Sequence, residues 1–395
     1  MKTRNLIYLA QLEEYDPIRI ENWLKKNPNK TVIEIKNHLH WTPKTTLIFL
    51  KTSFLGTFIG NKKALFLTFK LLSPIDNLIK TILVFLSTIK FKIFNKNTIV
   101  IGITGSWGKT TTKEVIYSIL KSKENIVYTP SNHNTLLSIA KQALFLPPKT
   151  KIFICEIGAY QIGDIQKVCQ IINPKIGILT AVGPMHLERF GNLKNILKTK
   201  MELAQSLPKN GTFIYPKEIS SQVKNFSLPQ DCFSFKDYSE IYNYLGKYFN
   251  IPQNNIKKII DSIPSIKHRL QIIQNGPITV IDDTYNSNPA GFKAALEKLQ
   301  KSKTKQKILV TPGMIELGNM QFSENEKIAK LAGKICDHII IVGETNKEAL
   351  LSGFKNSKAK IHTIKTLSET DQLLPKIYQG TATVLFENDL SDQYF

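Results

Sequence analysis

From about residue 98 the chain alternates between short apolar runs and longer amphipathic segments. Residues 98–104 form a β-branched run and 105–108 a glycine turn. Over 110–121, Val115, Ile116, Ile119 and Leu120 share one helical face. Further apolar runs of strand length occupy 151–157 and 176–182. Continuous apolar runs between helices predict a parallel sheet covered on both faces. A second alternation begins near residue 278. It predicts strands at 278–281, 307–311, 338–342, 360–364 and 382–386, with helices at 289–300, 323–336, 347–353 and 368–378. Residues 211–268 read as the connection between the two series.

The first 96 residues differ, being rich in helix signals and bulky apolar side chains. The run 45–60 is interrupted by Lys51, and 64–89 by Lys70, Asp76 and Lys80. Neither holds the 18 or more uncharged apolar residues of a clear spanning helix. The break Ser73-Pro74-Ile75-Asp76 predicts two short helices, with Leu78, Ile82, Phe85, Leu86 and Ile89 on one face of the second. Lysines flank the region at 62, 63, 90, 92 and 96. Such a face serves equally to pack on the next domain or to lie on an anionic inner leaflet. The first apolar stretch is short and followed by Glu13 and Glu14, unlike a secretory signal. The expected organisation is an α/β protein. A helical region at 1–96 precedes a central phosphate-loop domain at 97–267 and a Rossmann-like α/β domain at 268–395.

Composition is that of a globular chain, 42% hydrophobic and 21% charged. The formal net charge of +22 admits an anionic partner. Arginine, however, occurs only at Arg4, Arg19, Arg189 and Arg269, which argues against a dedicated nucleic-acid binder. Cys155, Cys169, Cys232 and Cys336 are scattered, without a CxxC pair, and read as core thiols of a reducing compartment.

The chemistry concentrates in Ile101-Gly102-Ile103-Thr104-Gly105-Ser106-Trp107-Gly108-Lys109-Thr110-Thr111-Thr112, between a predicted strand and a predicted helix. Glycines there let successive N–H groups face a polyphosphate at a helix N-terminus. Lys109 would supply charge to the β/γ-phosphates and the Thr110 hydroxyl a magnesium ligand. The spacing is the short TGxxGKT form, not GxxxxGK.

This loop, GITGSWGKTTTKE at 102–114, resembles the ATP loop of the Mur ligase family. Six further segments are similar to that family's, in its order: SNHNTL (131–136), EIGAYQIGD (156–164), GPMHLERFG (183–191), KTKME (198–202), DDTYNSNP (282–289) and MIELG (314–318). The last two resemble the type that adds D-alanyl-D-alanine. The resemblance covers about residues 98–345. It implies an ATP-dependent ligase of cell-wall precursor synthesis that forms an acyl phosphate, with a UDP-muramyl peptide and D-alanyl-D-alanine as substrates. It further implies nucleotide contacts from Gly105, Ser106, Gly108, Lys109, Thr110, Thr111, Arg269, Asp283 and Asn286. Magnesium would be held by Thr110, Glu156, His186 and a carbamylated Lys200. Lys109, Lys200 and His186 would be catalytic, and Asn132, Asn134 and Arg189 would touch substrate. A cytoplasmic monomer, peripheral to the inner face of the plasma membrane, is the expected setting.

Three features depart from that pattern. Residues 1–96 do not look like the family's uridine-binding domain, 211–269 is short, and 384–390 carries no KGSR segment. These leave room for a ligase of another amino acid or of glutamate, or for a membrane-associated nucleotide-binding protein that has lost ligation.

Overall fold

The computed structural model describes residues 1–394 apart from Ile33, 35–37, Asn132, 264–266 and Asn286. Two six-stranded sheets organise the chain from residue 99 onward. The first comprises β1 (Ile99–Thr104), β2 (Ile126–Tyr128), β3 (Ile152–Glu156), β4 (Ile176–Leu179), β5 (Thr212–Pro216) and β6 (Asp231–Phe235), in the order β2-β3-β1-β4-β5-β6, all parallel. The second comprises β7 (Gln271–Asn275), β8 (Ile278–Asp283), β9 (Gln306–Thr311), β10 (His338–Val342), β11 (Lys360–Ile364) and β12 (Ala382–Glu387), in the order β11-β10-β9-β12-β8-β7. Only β7, at an edge, runs antiparallel. The segment read as a connection is therefore largely part of the first α/β domain, supplying β5, β6 and three α-helices (Ser220–Val223, Tyr238–Tyr248 and Gln253–Ser262). Its strands are short and mixed in polarity, so periodicity did not separate them from loop.

Apolar side chains cover both faces of the first sheet. On one face Phe91, Ile139, Phe153, Ile165, Ile171 and Leu203 pack together; on the other Val115, Ile116, Ile119, Ile214, Ile241 and Leu245 do. In this order β1 is central and the chain's winding reverses beside it. Open parallel sheets bind ligands at the carboxyl ends of strands at such a point.

Four helices precede the sheets: α1 (Thr3–Leu12), α2 (Pro17–Lys26), α3 (Pro43–Ile59) and α4 (Asn61–Phe94). Asp16 caps α2, with Pro17 at the first helical position, and Thr42 caps α3, with Pro43 likewise. Leu6, Ile7, Leu9, Ile20, Trp23, Ile48 and Leu65 form a separate small core among them. The α4 helix corrects the sequence reading: it is one helix of 34 residues through Pro74, not two. Proline removes one helical N–H and leaves the carbonyl four residues earlier without its donor. Here that carbonyl is Lys70 O, and the Ser73 hydroxyl donates to it at 3.1 Å. By length and composition α4 could cross a membrane, with a mean hydropathy of 1.4 over its most apolar window. Its C-terminal half, however, packs Leu83, Val84 and Phe91 onto the first sheet's core.

A continuous helix at Pro74 has a measurable consequence. Pro74→Ala restores the Lys70 bond and removes the ring clash, so it should stabilise by about 1–3 kcal/mol. Urea unfolding followed by circular dichroism measures this. A neutral or lowered midpoint would mean that the chain needs a break here.

Candidate active site

The phosphate loop leaves β1 at Thr104 and enters α5 (Lys109–Leu120) at Lys109. Two glycines make the turn sterically feasible. Gly105 has φ +152°, and a Cβ there would meet Thr180 Oγ1 at 2.0 Å; Gly108 has φ +79°. Side-chain bonds hold the loop to the segment after β4. Ser106 Oγ donates to Gly183 O and accepts from Gly183 N, both at 3.0 Å. Lys109 Nζ folds back to donate to Gly105 O at 2.7 Å and to Ser106 O at 3.3 Å. Desolvation lowers its ammonium to about 8; Arg269 adds to the fall and Glu156 opposes it.

Glu156 ends β3 and is buried. Its Oε1 accepts from Asn134 Nδ2 at 2.9 Å. Its Oε2 lies 3.3 Å from Lys113 Nζ in an ion pair yet has no hydrogen-bond partner among the described residues. Lys113, fully buried on α5, donates to Ser131 O at 2.7 Å. A carboxylate oxygen left in this state suits a cation. No cluster of three His, Cys, Asp or Glu side chains occurs among the described residues. Magnesium does not need one, because it commonly takes one or two protein oxygens and completes its shell with phosphate oxygens and water.

A small cavity of about 40 Å³ opens beside the loop, lined by Gly105, Ser106, Lys109, Asn134, His186 and Lys200 among others. Six of the residues singled out from sequence thus converge on one space. Lys200 projects from the helix Leu193–Gln205 and is only 4% exposed. Burial first, then the charge of Lys109, lowers its ammonium to about 7 against the pull of Glu202 and Asp164. Glu202 itself acts structurally, accepting from Gly163 N at 2.6 Å and Gln166 N at 3.0 Å. His186 sits in the left-handed region at φ +53°, with Nδ1 hydrogen-bonded to the Glu316 carboxylate. Burial pushes that carboxyl up, but the bond and charge of His186, with Arg189 and Arg19, outweigh it and hold Glu316 below the usual range.

The second sheet's domain reaches this site through Arg269. Its Nη2 donates to Thr110 Oγ1 at 3.3 Å, and its guanidinium lies 4.2 Å from the centre of the Tyr285 ring. Asp283 Oδ1 accepts from Leu270 N at 3.0 Å, so it fixes the backbone beside Arg269. Asp283 ends β8 directly opposite Glu387 on β12. Burial raises both carboxyls, Glu387 well above the usual range, with the Asp283 charge adding to its rise. Asn132 and Asn286 lie outside the described residues. Thr111 faces solvent, and Thr110 and Glu156 flank the small cavity rather than line it.

Three contributors were missed from sequence. Lys113 lies one helical turn after Lys109, the spacing that puts both on one face, yet reads as one more lysine among many. Glu316 lay inside a quoted motif without a role. Tyr160 packs edge-on to His186 at 5.1 Å between ring centres and carries the Arg189 guanidinium 3.8 Å above its ring.

Comparison with known proteins agrees with this geometry. The family model for the Mur ligase middle domain matches residues 103–253, and that for the Mur ligase glutamate ligase domain matches 268–386. Together the matches span well over half of the chain. The UDP-N-acetylmuramoyl-tripeptide--D-alanyl-D-alanine ligase of Buchnera aphidicola (subspecies Baizongia pistaciae) is 29% identical over 346 residues, covering 72% of this chain and 75% of that protein. The Bacillus subtilis enzyme of the same name is 24% identical over 310 residues, covering 67% and 68%. Among solved structures, MurF ligase from Thermotoga maritima in complex with ADP superposes with a TM-score of 0.69 at 22% identity, over 78% of this chain and 80% of that one. With both domains matched in order and the phosphate loop, Lys200 and His186 gathered on one cavity, the chain belongs to the Mur ligase family.

Proposed function

We propose that this protein uses ATP to activate the terminal carboxylate of a UDP-muramyl tripeptide and joins it to D-alanyl-D-alanine. The observation that carries the reading is the convergence of Lys109, His186 and Lys200 on one cavity, with Arg269 of the second domain bonded to Thr110 beside it. The names of the Buchnera and Bacillus relatives supply the substrates. The carboxylate attacks the γ-phosphorus and ADP leaves; the amine then attacks the acyl carbon, loses a proton, and inorganic phosphate departs. Loop N–H groups, Lys109 and Arg269 present positive charge where phosphoryl charge develops. Magnesium, when bound, neutralises phosphate charge; the Glu156 carboxylate and Thr110 hydroxyl would hold it, and a carbamate on Lys200 would add an anion. Tyr160, Phe190 and Met185 enclose the cavity and limit water there.

The helical region adds peripheral attachment to an anionic membrane surface to this reading. On α4 the exposed side chains Leu71, Ile75, Leu78, Ile82, Phe85 and Ile89 form one unpartnered stripe, and Phe54 and Phe58 extend apolar exposure onto α3. Exposed lysines 62, 63, 70 and 92 border it, in a chain of net charge +22. Because Leu83, Val84 and Phe91 are committed to the first sheet's core, α4 lies along the surface rather than crossing it.

Three measurements check these assignments. Lys109→Ala should weaken Mg-ATP binding by about 30- to 1,000-fold in calorimetry, the worth of one charge-assisted phosphate contact. Unchanged binding would remove the loop from the nucleotide site. For Lys200 the sign follows from its lowered ammonium: below about pH 7 the amine is protonated and cannot carry a carbamate, and above it the neutral form dominates. Turnover should therefore fall after incubation at about pH 6 without CO2 and recover at about pH 8 with bicarbonate, a cycle absent in Lys200→Ala; indifference of the parent to bicarbonate would reject the carbamate. Finally, the protein should float with anionic liposomes and lose that association in a Leu78→Glu/Ile82→Glu variant. A variant that floats as well as the parent rejects the membrane face, and one that only loses self-association assigns the stripe to a second copy.

A further inference from the structure

Leu270 sits in the left-handed region although it is not glycine: its φ is +49°, and His268 two positions earlier has φ +60°. Such a backbone is unfavourable for a bulky side chain and persists only where its surroundings fix it. Side chains hold both backbone polar groups of Leu270. Its N–H donates to Asp283 Oδ1 at 3.0 Å, and its carbonyl accepts from Lys298 Nζ at 2.8 Å, out of the helix Pro289–Gln300. His268 is held too, with Nδ1 2.8 Å from Asp282 Oδ2. Between these two turned residues stands Arg269, whose Nη2 donates to Thr110 Oγ1 at 3.3 Å. The bonds on residues 268 and 270 therefore set the direction in which Arg269 leaves the second domain.

Behind Asp283 lies Glu387, opposite it in the parallel pairing of β8 and β12 and fully buried. It belongs to 384–390, the stretch where the sequence departs from the family's pattern. Glu387 Oε1 accepts from Ser287 Oγ at 2.6 Å. Its Oε2 is buried, and no donor among the described residues reaches it. As a carboxylate, Glu387 would leave that oxygen orphaned beside a second carboxylate, a costly state. As a carboxylic acid it has a proton to give, and the Asp283 carboxyl is within hydrogen-bond reach. Burial raises both groups; their mutual bond then raises Glu387 and lowers Asp283, so the proton belongs to Glu387. The other charges facing Asp283 are Arg269, which lowers it, Asp282, which raises it, and Lys298, whose ammonium it supports against burial.

We propose that Glu387 is a positioning residue for nucleotide binding: as a neutral carboxylic acid it donates to Asp283, Asp283 holds the Leu270 turn, and the turn presents Arg269 to the phosphates beside Thr110. Glu387 has no surface of its own to offer a nucleotide and acts only through this relay. The proton also leaves the pair with one negative charge rather than two, so Arg269 is drawn less strongly away from an anionic ligand. This rests on the nucleotide part of the ligase reading above.

The test is calorimetric binding of Mg-ATP to the full chain, for the parent, Glu387→Gln, Glu387→Leu, Arg269→Ala and the Glu387→Leu/Arg269→Ala double variant. Glu387→Gln keeps a donor for Asp283 and an acceptor for Ser287, so it should bind within about twofold of the parent. Glu387→Leu keeps the bulk without the bonds and should bind about tenfold more weakly, the worth of one lost buried bond. On the Arg269→Ala background the same change should cost less than about twofold, because the relay it breaks ends at Arg269. Glu387→Leu binding as the parent does, or losing as much without Arg269 as with it, overturns the proposal, and so does Glu387→Gln binding as weakly as Glu387→Leu. Should Glu387→Leu not fold, the infrared difference between the parent and Glu387→Gln decides. A C=O stretch of a protonated carboxylic acid at neutral pH is expected in the parent alone, and its absence overturns the proposal. A parent that does not bind Mg-ATP overturns the nucleotide reading and this relay together; one that binds it yet joins no muramyl peptide to D-alanyl-D-alanine overturns only the ligase reading.

Discussion

Lys109, Lys113 and Lys200 bring three lysine side chains into the space around the carboxyl end of β1, and the Glu156 carboxylate there is already paired with Lys113. Withdrawing ammonium groups from water is costly unless charge of the opposite sign meets them. The fold does not supply enough of it. Instead the side chains lean on carbonyls: Lys109 on Gly105 and Ser106, Lys113 on Ser131. Two of the three have ammonium groups lowered to about 8 and about 7. A polyphosphate relieves this deficit, and a carbamate on Lys200 would relieve it further by exchanging a cation for an anion.

The second domain adds a further cation to this site. Arg269 comes from the strand-flanking loop of the second sheet and touches Thr110 at the start of α5. Its neighbourhood is held by Asp283 and by a Glu387 carboxyl that burial keeps well above the usual range. His186 of the first domain and Glu316 of the second form another bridge, next to Glu188 N donating to Glu316 O at 3.3 Å. The polar contacts Arg269–Thr110 and His186–Glu316 thus lie beside the phosphate loop, while Met320 of the second domain packs on the first sheet's apolar core.

The helical region solves a different problem. Its small core of Leu6, Ile20, Trp23 and Ile48 stands apart from the two sheets, so it depends on docking for its position. Docking comes from α4, whose Phe91 end enters the first sheet's core, and from Trp23 and Tyr8, which hold the segment after β12. One helix, α4, therefore carries both an exposed apolar face and the anchor on the first sheet's core.

Local backbone demands were legible in the sequence. Gly105 and Gly108 mark a turn that only glycine makes comfortably, the apolar runs mark buried parallel strands, and Asn288 before Pro289 marks a helix start that the structure caps with the Asn288 side chain. Motif order was legible too, and with it the convergence of Lys109, His186 and Lys200. Other features depend on partners remote in the chain. Pro74 reads as a break because a lone proline costs a bond; Ser73 rescues it only once the helix exists. The buried state of Lys113 depends on Glu156, 43 positions later by their numbers, and β5 and β6 become strands because β4 offers an edge. Sequence alone determined the loop, the two α/β series and the class of chemistry, since each is written in neighbours a few residues apart. Tertiary structure alone decided which lysines lose water, and that α2 and Gln393 face Tyr160 and Arg189 across one cleft, because desolvation and enclosure belong to the packed chain.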